Sequence, residues 1–185
     1  MEQRLKVAFK GYANFEGCVE NVNHDSFKVF DFENECCRIV QSGELKDKQH
    51  EETLDVINPN NKIIYCLSTD QCLLKTVDGE KCDCVLFDDK TIIFVEMKTN
   101  ASTQIKVTLE KECNHAIEQI LSINRLFIQK KVIFDEYRKL GIICFKKIIL
   151  TGAIRRNNTT FEAMRNNFLR QNSFGLNITN RVEFR

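Results

Sequence analysis

Two β-rich runs joined by a short polar turn constrain this chain more than any other feature. The segment reads Lys81-Cys82-Asp83-Cys84-Val85-Leu86-Phe87-Asp88-Asp89-Lys90-Thr91-Ile92-Ile93-Phe94-Val95-Glu96-Met97-Lys98. Apolar runs on either side of a polar turn predict a β-hairpin. With Asp89 and Lys90 as a two-residue loop, opposed residue numbers sum to 179, so Asp83 faces Glu96. Directly opposed residues share a face with Cβ atoms about 4.5–5.5 Å apart, and alternation brings Lys98 to that same face. The run Ile92-Ile93-Phe94-Val95 is apolar on both faces, the mark of a buried central strand.

Opposed carboxylates repel unless something cationic intervenes. A divalent metal answers that need, and hard oxygen ligands favour Mg²⁺ or Mn²⁺, ions that keep several waters and suit phosphate substrates. The chemistry expected is metal-assisted hydrolysis of a phosphodiester. Asp83 and Glu96 are then metal ligands, and Lys98 orients the attacking water or stabilises the developing negative charge. The competing structural reading is a surface hairpin in which Glu96 and Lys98 form a solvated pair, and the residues alone leave both open.

The rest of the sequence supplies a setting for that hairpin. A chain of 185 residues with 43% apolar side chains is long enough for one domain with a real core. No apolar run approaches the roughly 18–20 residues needed to cross a bilayer, and Met1-Glu2-Gln3-Arg4-Leu5-Lys6 lacks a signal-peptide apolar region. A cytoplasmic protein without a membrane partner is expected. Its nine cysteines, mostly inside apolar runs, are expected to be reduced, core-filling thiols. No CxxC occurs, and Cys82 and Cys84 are expected on opposite faces of a strand, flanking Asp83 as small apolar packing residues, so no zinc site is expected.

Periodicity predicts short strands at Leu5–Phe9 and Phe27–Phe30, then helix from Glu33 to Ile57 with a break near Ser42-Gly43. Asn58-Pro59-Asn60-Asn61 is the clearest stop signal. Strands are expected over Lys62–Leu67, Lys81–Phe87 and Thr91–Lys98, and a long helix over Val107–Gln129. A shorter helix at Val132–Leu140, a strand at Lys146–Gly152 and a basic amphipathic helix at Thr160–Gln171 complete the reading, with Thr159 or Thr160 as its N-cap. Nothing in the composition divides the chain. One domain over residues 1–185 is expected, its core at about 33–172, as a three-layer-like α/β sandwich around a central mixed sheet.

At Asp83 and Glu96-Met97-Lys98 the segment resembles the PD-(D/E)XK nucleases, whose pattern is an Asp on one strand and (D/E)-x-K on the next. The residue before the Asp is Cys82 where the family has proline. The resemblance is closest to compact bacterial members, in which a phrase like Phe94-Val95-Glu96-Met97-Lys98 precedes a helix bearing Ala-x-x-Gln, here Ala116-Ile117-Glu118-Gln119. It covers about half the chain, Lys62 to Gly152. The resemblance implies a restriction-endonuclease-like fold, a Mg²⁺- or Mn²⁺-dependent nuclease activity, DNA ahead of RNA as substrate, and a catalytic role for Gln119 beside Asp83, Glu96 and Lys98. It also implies an acidic residue contributed from before the sheet, for which Glu35, Glu44, Glu51 and Glu52 are all available. By analogy the setting is genome defence, with a homodimer or a targeting protein as partner.

Charge is divided along the chain. Residues 1–122 carry 14 Lys/Arg against 22 Asp/Glu, and residues 123–185 carry 13 against 4. Lys130, Lys131, Arg155 and Arg156 are the basic residues expected to contact phosphates, which would make binding salt-dependent. Two other readings remain: a catalytically inactive binding module of the same fold, and a viral cap-snatching-type endonuclease domain. The latter commonly adds a metal-binding histidine on an early helix, and neither His24 nor His50 sits in such a context.

Overall fold

A computed structural model describes residues 2–12, 15–32, 35–41, 43–45, 47–74, 79–101, 104–133 and 136–184. Six strands form the larger sheet: β1 (Val19–Val22), β5 (Ile64–Ser68), β6 (Cys84–Phe87), β7 (Thr91–Lys98), β8 (Arg138–Phe145) and β9 (Gly175–Ile178), in the order β1-β5-β6-β7-β8-β9. The pairs from β1 through β7 are antiparallel, and β7–β8 and β8–β9 are parallel. A second mixed sheet, ordered β10-β4-β2-β3, is built from β2 (Ser26–Asp31), β3 (Cys37–Val40), β4 (Leu54–Ile57) and β10 (Arg181–Glu183).

Side-chain alternation divides the larger sheet between two cores. Val85, Phe87, Ile92 and Phe94 pack against α1 (Glu2–Ala8), α2 (Lys106–Gln129) and α4 (Asn158–Asn172) through Leu5, Ile120, Ile123, Phe127, Phe161 and Phe168. Cys84, Leu86, Ile93, Val95 and Met97 pack on the other face against Phe27, Val29, Leu54 and Val56 of the second sheet. The protein is therefore a mixed α/β sandwich of helices, central sheet and second sheet. The buried set extends past residues 33–172 at both ends, since Leu5, Phe9 and Phe184 are fully buried.

Several expected elements are corrected. Leu5–Ala8 belongs to a helix, and Phe9 follows it with its N–H on the Leu5 carbonyl at 2.9 Å; Leu5 and Phe9, four apart, are buried while Val7 is exposed. A Lys6–Glu2 ion pair at 2.8 Å supports the same turn. Glu33–Ile57 is not helical: it holds β3, a 3₁₀ turn (Asp47–Glu52) and β4, where Leu54 and Val56 point inward and Asp55 and Ile57 outward at strand period. Residues 33, 34, 42 and 46 lie outside the described residues. Of the helix expected at Val132–Leu140, residues 134 and 135 lie outside the described residues and the last three open β8, an inner parallel strand buried from Gly141 to Phe145 on both faces, which gives a continuous apolar run without alternation. Lys146–Gly152 is a helical turn, α3 (Lys147–Ile149), running into a π-helical turn (Leu150–Ile154). The long helix and the basic helix start within two residues of expectation.

Gly141 on β8 lets α2 lie close to the sheet. A Cβ there would meet Leu176 Cδ1 at 3.0 Å and Ile120 Cγ2 at 3.4 Å.

The expectation of nine reduced cysteines is also corrected. Cys18 and Cys72 form a disulfide across 54 positions, with a Cα separation of 5.5 Å; the other seven are free, all of them buried except half-buried Cys36. Closing a loop of that length removes unfolded-chain entropy equivalent to about 4 kcal/mol in the chain-entropy model. Reduction, or the Cys18→Ala/Cys72→Ala variant, is expected to lower the melting temperature by about 10 °C. Calorimetry under oxidising and reducing conditions checks this, and coincident transitions would rule it out.

No helix among the described residues is long and apolar enough to cross a membrane.

Candidate active site

The β6–β7 hairpin carries the acidic residues in the expected register: Cys84 pairs with Val95, Val85 with Phe94 and Leu86 with Ile93. Its turn is fixed by buried Asp88, whose Oδ1 accepts the N–H groups of Lys90 at 2.9 Å and Thr91 at 2.6 Å. Lys62 Nζ lies 3.1 Å from Asp88 Oδ2. Tight pairing at this end transmits a fixed register to the other, where the ladder stops at Cys84. One residue beyond, Asp83 replaces the next ladder bond with its side chain: Oδ2 accepts the Met97 N–H at 2.5 Å.

Glu96 and Lys98 share the strand parity of Ile92 and Phe94 and so face the helices. Asp83 lies one residue before β6, where alternation has already ended, since Cys82 packs in the helix-side core and Cys84 on the other face; Asp83 is tied to this strand end by the Met97 N–H and feels the charge of Glu96. Glu96 is 2% exposed. Lys98 Nζ lies 2.8 Å from Glu96 Oε1 and donates to Gln119 Oε1 at 3.0 Å. The Gln119 amide in turn donates to the Lys81 carbonyl at 3.0 Å, which ties α2 to the strand entering β6. Asp83, Glu96, Lys98 and Gln119 are thus brought together.

The second carboxylate oxygen of Glu96 is buried and has no hydrogen-bond partner. Leaving such an acceptor unpaired is costly, and its environment records that cost. Burial pushes the Glu96 carboxyl up to about 7, even though Lys98 pulls it down. Burial, followed by the charges of Glu96 and Asp31, pushes Asp83 well above the carboxylate range, against the Met97 N–H. Half-buried Asp31 is pushed up to about 6 by burial and by Asp70.

Asp31, Asp70 and Lys81 are components that sequence reasoning missed. Asp31 closes β2 of the second sheet, and its charge acts on both Asp83 and Glu96. Asp70 sits on the turn after β5, 3.3 Å from the Nζ of buried Lys81. Asp31 is the last residue of β2 and Asp70 lies two residues past β5, positions for which the hairpin register that singles out Asp83 has no counterpart. The four glutamates considered from the sequence lie elsewhere: Glu44 pairs with Arg38 at 3.4 Å, Glu52 pairs with Lys146 at 2.6 Å, and Glu35 and Glu51 are exposed.

The turn after β5 also holds Asp83 by its backbone. The Asp83 carbonyl accepts the N–H groups of Thr69 at 2.9 Å and Asp70 at 3.3 Å, while the Thr69 hydroxyl donates to the Cys82 carbonyl.

The basic residues separate into two groups. Because β7 and β8 are parallel and Lys98 pairs with Phe145, the segment leaving β8 emerges at the same sheet end as Lys98. Exposed Arg155 and Arg156 follow on that segment, and Arg156 donates to Gln104, in the connection from β7 to α2, at 2.8 Å. Lys130 and Lys131 lie past the far end of α2, roughly 17 Å beyond Gln119 at 1.5 Å per residue. Lys130 rests 5.5 Å from the Phe9 ring centroid and 5.3 Å from that of Tyr12. These two lysines are not brought to the site.

Among the described residues, no three His, Cys, Asp or Glu side chains are grouped so as to hold a metal ion. Carboxylate oxygens from Asp83 and Glu96, one of them buried and unbonded, nevertheless fit a hard divalent cation that keeps waters in its remaining positions. Compared with known proteins, the chain matches no family model, no curated protein and no solved structure.

Proposed function

We propose that the protein is a metal-dependent nuclease of restriction-endonuclease-like fold that hydrolyses nucleic-acid phosphodiesters, with DNA named first because the resembling family acts mostly on DNA. The observation that carries the reading is Glu96: one buried oxygen is bonded to Lys98 and the other is unbonded, beside a second buried carboxylate. A buried acid arranged only for structure would have both oxygens satisfied.

Asp83 and Glu96 would hold Mg²⁺ or Mn²⁺, which when bound supplies an acidified water and offsets phosphate charge. The chain's own groups do the rest. Glu96 Oε1 and Gln119 Oε1 fix the Lys98 ammonium from two sides, so its remaining N–H is available to orient the nucleophile or meet negative charge developing on phosphate oxygens. Gln119 is anchored by the Lys81 carbonyl and serves to position Lys98. Arg155 and Arg156 are at the sheet end where an extended polyanion would be held.

Incubation of supercoiled DNA with the protein and millimolar Mn²⁺ is expected to give nicked product, with no reaction in chelator. Asp83→Asn should reduce the rate by about 10²-fold or more, as removal of one electrostatic contributor does elsewhere. Undiminished cutting by that variant would overturn the assignment.

A further inference from the structure

We propose that the Cys18–Cys72 disulfide is a redox clasp on the candidate active site, closed when it pins the turn after β5 against Asp83 and open when a dithiol reduces it. The inference rests on the nuclease reading for its consequence, but its geometry stands apart from it. Cys18 ends a 3₁₀ turn (Phe15–Cys18) that is rooted in the helix-side core by Phe15, stacked 6.3 Å from Phe9. Cys18 is itself buried in that core, 1% exposed. Cys72 is half-buried and sits on the turn that carries Asp70.

That turn is closed on itself by the Leu73 N–H to the Ser68 carbonyl at 3.3 Å and the Leu74 N–H to the Thr69 carbonyl at 2.9 Å, which leaves residues 70–72 at its tip. Gln71 is held at φ 58°, a left-handed conformation that side-chain-bearing residues rarely adopt. Asp70 spends one oxygen on its neighbour's N–H, Gln71, at 2.8 Å and on Lys81 at 3.3 Å. Yet Thr69 and Asp70 donate both backbone bonds that the Asp83 carbonyl accepts. Leu73 and Leu74 anchor the outgoing side of the turn in the core, and the disulfide ties Cys72, between them and the left-handed Gln71, to buried Cys18. Opening it frees the Asp70–Cys72 stretch to leave Lys81 and Asp83.

The chemistry balances with a small dithiol as reductant. Its thiolate attacks Cys72 Sγ, the more accessible sulfur, and Cys18 leaves as a thiolate that takes up a proton. The reductant's second thiolate then closes on the mixed disulfide and releases Cys72. Two electrons pass from the dithiol, which ends as a cyclic disulfide, to the protein.

Hydrogen exchange of the full chain, oxidised and after dithiol reduction, tests the clasp at a temperature well below unfolding. The amides of Thr69 and Asp70 should exchange at least about tenfold faster after reduction. Arg138, bonded to the Lys90 carbonyl at 2.9 Å, and Thr179, bonded to the Ile143 carbonyl at 3.0 Å, should accelerate by a smaller factor, the one that the lowered global stability imposes. Cys72→Ala in the absence of reductant should reproduce the reduced pattern. Unchanged exchange at Thr69 and Asp70, or an equal increase at all four amides, would overturn the clasp. Mn²⁺ titration supplies the functional arm: affinity should fall on reduction, and equal affinity in both states would defeat control of the site. Absence of Mn²⁺ binding even to the oxidised protein would instead remove the nuclease reading, leaving exchange to decide the clasp.

Discussion

Lys98→Ala is expected to abolish Mn²⁺-dependent cleavage, lowering the rate by at least about 10²-fold, and to destabilise the protein by about 3 kcal/mol. The two losses have different origins. Cleavage is lost because the ammonium held by Glu96 and Gln119 is the cation proposed to meet charge in the transition state. Stability is lost because truncation strands Glu96, 2% exposed, with neither oxygen paired to a cation. The double variant Lys98→Ala/Glu96→Gln separates them: it should recover much of the stability and none of the cleavage. Denaturation curves run beside the nicking assay provide the check. Full activity in Lys98→Ala, or recovery of activity in the double variant, would refute the assigned role.

The second large effect couples pH to metal. A glutamate in the unfolded chain titrates near 4.5, whereas Glu96 in the fold titrates at about 7 because burial disfavours its charge. The folded state therefore binds this proton more tightly than the unfolded state does, and ionisation above pH 7 subtracts from stability. Without metal, stability should rise as pH falls from 8 toward 5, by up to about 3 kcal/mol from this residue alone. Asp83 and Asp31 are shifted in the same direction by burial and by neighbouring acids, so they add to the trend. The expected rise in melting temperature is about 5–10 °C. Mn²⁺ should cancel the deficit at pH 8 and add little at pH 5, where protons occupy the same oxygens. A melting temperature that falls between pH 8 and 5 in chelator, or an equal Mn²⁺ increment at both, would contradict the arrangement.

The hairpin and its register were legible because local rules decide them: a polar two-residue loop, apolar runs on either side, and strand alternation that carries Glu96 and Lys98 to one face. The long helix was legible by its period, and Gln119 with it. The second sheet was not. Its strands span only three to six residues where their sequences also fit a helical face, and their identity depends on pairing partners distant in the chain, such as β10 with β4. Missing that sheet meant missing Asp31, whose approach to Asp83 is a product of layer stacking. Leu140–Phe145 failed for another reason. An inner parallel strand has no polar face to betray its period, so the neighbouring Lys146–Gly152 run drew the strand assignment instead. The disulfide lay beyond reach because nothing local distinguishes Cys18 and Cys72 from seven other cysteines.

Gly141 contributes to the site without a polar side chain or any place near the acids. Ile120, which rests over the missing methyl, is the residue after Gln119, so the depth at which α2 seats on β8 also sets how far the Gln119 amide reaches toward Lys98. A methyl at position 141 would press first on Leu176, 3.0 Å away, and only then on the helix, which Ile120 brings to 3.4 Å; the charged centre thus shares its footing with a clearance in the apolar core.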